Sequence, residues 1–195
     1  MSERKNDFSK GSIPRNILTL AAPMTLAQLI NVLYSVVDRM YLGRLPGHLA
    51  LTGLGLTMPI VSILMGFANL CGMGGAPLCS ICRGQGDDEE AEHILGNSFT
   101  LLLILGAAAT LVFLLLKRPV LCLFGASEAT FPYADAYLTI YLCGTLFVMV
   151  SLGMNPFINA QGFSRMGMMT VALGAAVNIV LDPIFIFALD MGVRG

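Results

Sequence analysis

Long uncharged runs separated by short polar links set the pattern of this chain. No Asp, Glu, Lys or Arg occurs in residues 16–37, 49–82, 94–116 or 136–164, and the run 166–189 holds a single charge, Asp182. A hydrocarbon core of about 30 Å needs roughly 20 apolar residues in a helix, so each run is long enough to cross it. The pattern therefore predicts five transmembrane helices, at approximately 16–38, 54–79, 94–116, 136–158 and 166–189. The run 49–82 is too long for one upright span and too short for two with a connection between them, so it reads as one span with an interfacial start. Residues 1–15 form a polar, cytoplasmic leader, and 190–195 read as the start of a loop toward an absent sixth span. A cleaved signal peptide does not fit, because the first apolar run is too long and no small-x-small site precedes the further spans.

The links carry their own signals. In RGQGDDEEAEH, Gly84 and Gly86 are expected as turn residues, and residues 87–90 suit the first turn of the next helix, where the macrodipole favours anions. Lys117, Arg118 and Pro119 are expected to stop the third span. The segment 159–165 is expected in the loop between the fourth and fifth.

Composition agrees with the pattern. The chain has 195 residues, 56% of them hydrophobic and 12% charged, with a formal net charge of -1, which leaves no polybasic surface for nucleic acid. Its 21 Gly and 12 Met suit closely packed, adaptable membrane helices. With the amino terminus inside, Arg4, Lys5, Lys10, Arg15, Arg83 and Arg165 lie inside and Arg39, Arg44, Lys117, Arg118 and Arg194 outside. The balance is close, and the basic leader tips it toward a cytoplasmic amino terminus in a plasma membrane.

Polar residues inside the spans are the candidate chemistry, because lipid tolerates them poorly. Gln28, Asn31, Ser35 and Asp38 fall within about 80° of one another on a helix, a stripe that should face a bundle interior or a water-filled cavity. The plainer reading of Asp38 is a cap at the end of the span beside Arg39. In the fifth span, Asn178 and Asp182 share a face at i and i+4, and Pro183 deprives the Ile179 carbonyl of its usual donor, so an acceptor-rich break can form there. Two carboxylates, an amide oxygen and a freed carbonyl could ligate Na⁺, or one carboxylate could take a proton; a structural contact between helices is the alternative. Tyr34 and Asn155, with Gln28, Asn31 and Ser35, are candidates for the wall of a polar cavity, although Asn155 serves equally well as an interhelical hydrogen-bonding group. The five cysteines are scattered; Cys79-Ser-Ile-Cys82 lacks a second ligand pair, and no metal centre or other cofactor is expected beyond Na⁺ as a coupling ion at Asp38, Asn178 and Asp182. His48 and His93 fall on opposite sides and cannot share a catalytic centre, so an enzyme is not expected.

Taken together, VDRMYLGRLPGHLALTGLGL at the end of the first span, CRGQGDDEEAE, NPFINAQGFSRMGMMT and VNIVLDPIFIF resemble the multidrug and toxic compound extrusion (MATE) family of cation-coupled efflux transporters, and the likeness covers nearly the whole chain. The resemblance implies an all-α polytopic membrane protein of twelve spans in two six-helix bundles, of which this chain supplies five from the amino-terminal one. It implies proton or Na⁺ coupling at Asp38, Asn178 and Asp182, and export of amphipathic, often cationic compounds by alternating access. The partners it implies are drug-like substrates, membrane lipids and a carboxy-terminal bundle from the same gene or another chain. A flippase for lipid-linked oligosaccharides or polysaccharides shares the architecture, but it needs basic residues for pyrophosphate, and none lies in the middle of a span. An inactive structural fragment needing a partner is the remaining alternative.

Overall fold

The computed structural model describes residues 12–42 and 48–188, and every regular element among them is helical. In chain order these are α1 (Ile13–Leu42), α2 (His48–Gln85), α3 (Asp88–Leu123), α4 (Phe131–Ala160) and α5 (Ser164–Pro183), followed by a π-helical turn at Ile184–Ala188. All five helices are long and apolar enough to cross a membrane. Contacts between them place the carboxyl ends of α1, α3 and α5 at one end of the bundle with the amino ends of α2 and α4. The leader at 1–11, the link at 43–47 and the segment 189–195 lie outside the described residues.

The helices form two packed groups. α2, α3 and α4 pack against one another, α1 packs on α5, and the contact between α4 and α5 joins the groups. Burial follows this arrangement: 39% of the most apolar 18-residue stretch of α2 is buried inside the bundle and 0% of that of α1. The core of the first group recurs at helical spacing, with Ile60, Leu64, Ala68 and Cys71 on α2 facing Leu102 on α3 and Leu138, Leu142 and Met149 on α4. Glycine brings α2 and α4 together. A Cβ added at Gly72 would lie 2.6 Å from the Gly153 carbonyl oxygen, and one added at Gly153 would lie 2.6 Å from Leu102 Cδ1. Such small-residue contacts let membrane helices gain van der Waals attraction where lipid gives them no hydrophobic drive to associate.

The turns follow local chemistry. Asp87 caps α3, its Oδ1 accepting from the Glu90 amide at 3.1 Å, and Asp88, Glu89 and Glu90 fill the first turn as the sequence predicts. Gly86 sits at φ +82°, where a side chain would be strained, and closes α2. Gly84 is not a turn residue; it lies within α2, which runs to Gln85.

Three further expectations are corrected. Lys117, Arg118 and Pro119 do not end the third helix, which runs on to Leu123. Pro119 removes only the donor to the Leu115 carbonyl, and Lys117 is neutralised by Asp135 on α4, at 2.8 Å. The expected loop at 159–165 shrinks to residues 161–163. There the Phe163 amide donates to the Ile158 carbonyl at 3.2 Å and Gly162 takes φ +89°, so Asn159 and Ala160 stay in α4 while Ser164 and Arg165 begin α5. At Pro183 the helix does not open into an unwound break; it widens into the π-helical turn, one way of passing a proline without leaving helical geometry.

Candidate polar site between α1, α4 and α5

Three helices each bring a pair of residues at i and i+4 to the end of the bundle where α1 finishes, α4 starts and α5 finishes. The pairs are Tyr34 and Asp38 on α1, Tyr137 and Tyr141 on α4, and Asn178 and Asp182 on α5. The i, i+4 spacing stacks each pair on one helix face. Tyr34 lies beside Asn178 and within Coulombic reach of both Asp38 and Asp182. Asp182 and Asp38 lie within Coulombic reach of each other. On the α4 side, Tyr137 is within reach of Asp38 and Tyr34, and its ring stacks on that of Tyr141 with centroids 6.1 Å apart and planes inclined by 25°.

Two polar atoms of this cluster are buried without a hydrogen-bond partner among the described residues: Oδ2 of Asp182 and the hydroxyl of Tyr141. A buried oxygen in this state costs free energy unless something satisfies it, and a proton on the carboxyl or a small cation shared with Asp38 would do so. The donor set consists of oxygen only: two carboxylates, the Asn178 amide and the tyrosine hydroxyls. Hard-cation ligands are of this kind. The residues present therefore fit Na⁺ or a proton.

The α1 stripe divides between two surroundings. Tyr34 and Asp38 are half-buried beside α5, while Gln28 and Asn31 are exposed from the described bundle. Ser35, partly buried, turns its hydroxyl back to the Asn31 carbonyl at 2.9 Å. Asn155 lies elsewhere, from 141 to 155 or ~21 Å further along α4. Its amide donates to the Gly167 carbonyl and to Thr170 Oγ1, both at 3.2 Å, and its own oxygen accepts from Asn159 at 3.2 Å. The structure thus brings together Asp38, Asn178, Asp182 and Tyr34, and does not bring Asn155 to them. Sequence reasoning passed over Tyr137 and Tyr141. Their i, i+4 spacing at the start of an apolar run was the available signal.

Comparison with known proteins places the chain in a family. The MatE family model matches residues 23–184, which include all six residues of the cluster. The chain is 29% identical over 188 residues to the multidrug export protein MepA of Staphylococcus haemolyticus and 27% identical to MepA of Staphylococcus aureus. Each alignment covers 96% of this chain and 42% of the relative, so the chain spans about two fifths of the length of these exporters. Among solved structures, a MATE in the straight conformation superposes with a TM-score of 0.87 at 30% identity, covering 93% of this chain and 40% of the other. A MATE in the bent conformation superposes at 0.85 and 28%, covering 94% and 41%. The chain belongs to the MatE family.

Proposed function

We propose that this chain forms part of the amino-terminal bundle of a cation-coupled multidrug antiporter, and that Asp38, Asn178 and Asp182 bind the coupling ion. The observation that carries the reading is the buried, unpartnered Oδ2 of Asp182 within reach of a second carboxylate, in a protein whose relatives are named multidrug exporters. Binding of H⁺ or Na⁺ relieves the repulsion between the two carboxylates and draws α1 toward α5. Its loss favours the opposite arrangement. Drug and ion then favour different states, so each weakens the binding of the other, which is the thermodynamic form of antiport. Gln28 and Asn31, exposed from the bundle on the α1 face, are suited to the wall of a cavity shared with a second bundle, supplied by the same gene or another chain. Amphipathic, cationic compounds fit a cavity wall with no basic side chain on it.

The test is efflux of a fluorescent cationic dye from proteoliposomes carrying the chain together with its second bundle, under imposed Na⁺ and pH gradients applied separately. Asp38→Asn and Asp182→Asn are expected to abolish gradient-driven efflux while leaving passive dye binding. Efflux at the native rate in both variants rejects the coupling assignment, and dependence on one gradient alone identifies the ion.

A further inference from the structure

A second charged group lies within the bundle and belongs to no site described above. Lys117, on α3, is six residues before the end of that helix, and Asp135 is in the first turns of α4. Their Nζ and Oδ1 atoms are 2.8 Å apart, with each side chain only 29% exposed. Thr139 completes the group: its hydroxyl donates to the Asp135 carbonyl at 2.7 Å and accepts from Lys117 Nζ at 3.0 Å. Every polar atom of the hydroxyl is used, and the ammonium is tied to two positions one turn apart on α4. Such a two-point attachment fixes both the rotation of α4 and its depth relative to α3.

The rotation matters because of what α4 carries on its other flank. At 100° per residue, the buried stripe of Ala134, Leu138 and Leu142 runs up the middle of the inward face. Asp135 and Thr139 flank it on one side, toward α3, and Tyr137 and Tyr141 flank it on the other, toward Tyr34 and Asp38 of α1. The stripe itself is small and smooth at this end, an alanine followed by leucines, which resists rotation less than an ion pair backed by the Lys117–Thr139 hydrogen bond does. A pair held half out of water is also costly to separate, since either partner alone would remain as an unmatched charge among apolar helices.

We infer that Lys117, Asp135 and Thr139 form a clamp that positions the Tyr137 and Tyr141 face of α4 against Tyr34 and Asp38 of α1. Lys117 and Asp135 are positioning residues and touch no transported species. That this position matters to coupling rests on the function proposed above; that the clamp sets it does not.

The chain contains no Trp, so its near-ultraviolet circular dichroism comes from Tyr, with a minor Phe part, and reports directly on how rigidly the tyrosines are held. The full chain in detergent micelles is the sample. Tyr137→Phe/Tyr141→Phe first measures the share of the tyrosine band owed to the stacked pair. Lys117→Met/Asp135→Asn removes the clamp without leaving an orphan charge. It is expected to lose roughly half or more of that share while the far-ultraviolet helical signal stays native. The exchanged pair Lys117→Asp/Asp135→Lys, and the conservative Lys117→Arg, are expected to retain it. Thr139→Val is expected to give a partial loss, and it serves as the deciding variant if the double substitution does not fold. An unchanged tyrosine band in the clamp-free variant, or in Thr139→Val where that variant decides, overturns the inference. So does a loss that the exchanged pair and Lys117→Arg both fail to restore. Native efflux in Asp38→Asn and Asp182→Asn would sink the coupling reading alone and leave this result standing.

Discussion

At the scale of single residues, the cost of polarity in lipid explains which site residues the sequence disclosed. Asp38, Asn178 and Asp182 stand out because a carboxylate or amide in an apolar run needs a reason to be there, and the structure gathers all three at one end of the bundle. Tyr137 and Tyr141 carried no such warning, since a tyrosine is apolar along most of its length and is at home in any span. Lys117 differs for a related reason: a lysine beside arginine and proline is expected to stop the helix, yet α3 runs on to Leu123 with Asp135 of α4 paired to it. Glycine illustrates the same point without charge. Gly72 looks like one of many, yet a methyl group there would press on the Gly153 carbonyl. Gly72→Ala is expected to force α2 and α4 apart and to destabilise the bundle by about 1–3 kcal/mol, the usual cost of overpacking. Denaturant unfolding in mixed micelles measures it, with Gly74→Ala, which faces open space, as the control expected to change little.

At the scale of the elements, the number, order and class of helices were legible and their ends were less so. Each run is long and uncharged enough that no other structure satisfies its backbone in a membrane, so five helices follow from hydropathy alone. Their ends depend on turn chemistry that hydropathy does not see. The helices outrun their apolar segments wherever capping and pairing allow, as α2 does to Gln85 and α3 does past Pro119. The best-read boundary was the start of α3, because Asp87 and the three acids after it state their function in their order. Asp87→Ala removes the side-chain acceptor for the Glu90 amide and is expected to cost about 1 kcal/mol, with Asp87→Ser retaining most of it. The same unfolding measurement decides. Equal stability of Asp87→Ala and the native chain would mean that water serves the amide equally well at this exposed turn.

At the scale of the whole molecule, the division into α1 with α5 and α2 with α3 and α4 is the feature that links the fold to the proposed coupling. The groups are joined by the α4 and α5 contact, and the polar cluster lies at the other end of α4, beside α1. Coupling an ion to a shift of α1 requires the first group to be softer than the second, and the burial already favours this: no residue of the α1 span is buried, whereas α2 is enclosed on two sides by α3 and α4. Local opening free energy tracks such enclosure. Amide hydrogen exchange in micelles should therefore be slowest across residues 60–71 of α2 and faster in α1 by at least about tenfold, since α1 has few protein contacts to lose when it opens. Asn155 supplies the control that separates softness of α1 itself from softness of the join. Its amide pins α4 to α5 through the Gly167 carbonyl and Thr170, so Asn155→Ala should speed exchange in α5 and α1 together and leave residues 60–71 unchanged. If exchange rises equally in all five helices, the bundle opens as one unit, and the movement of α1 that the coupling proposal needs has to come from somewhere other than this division.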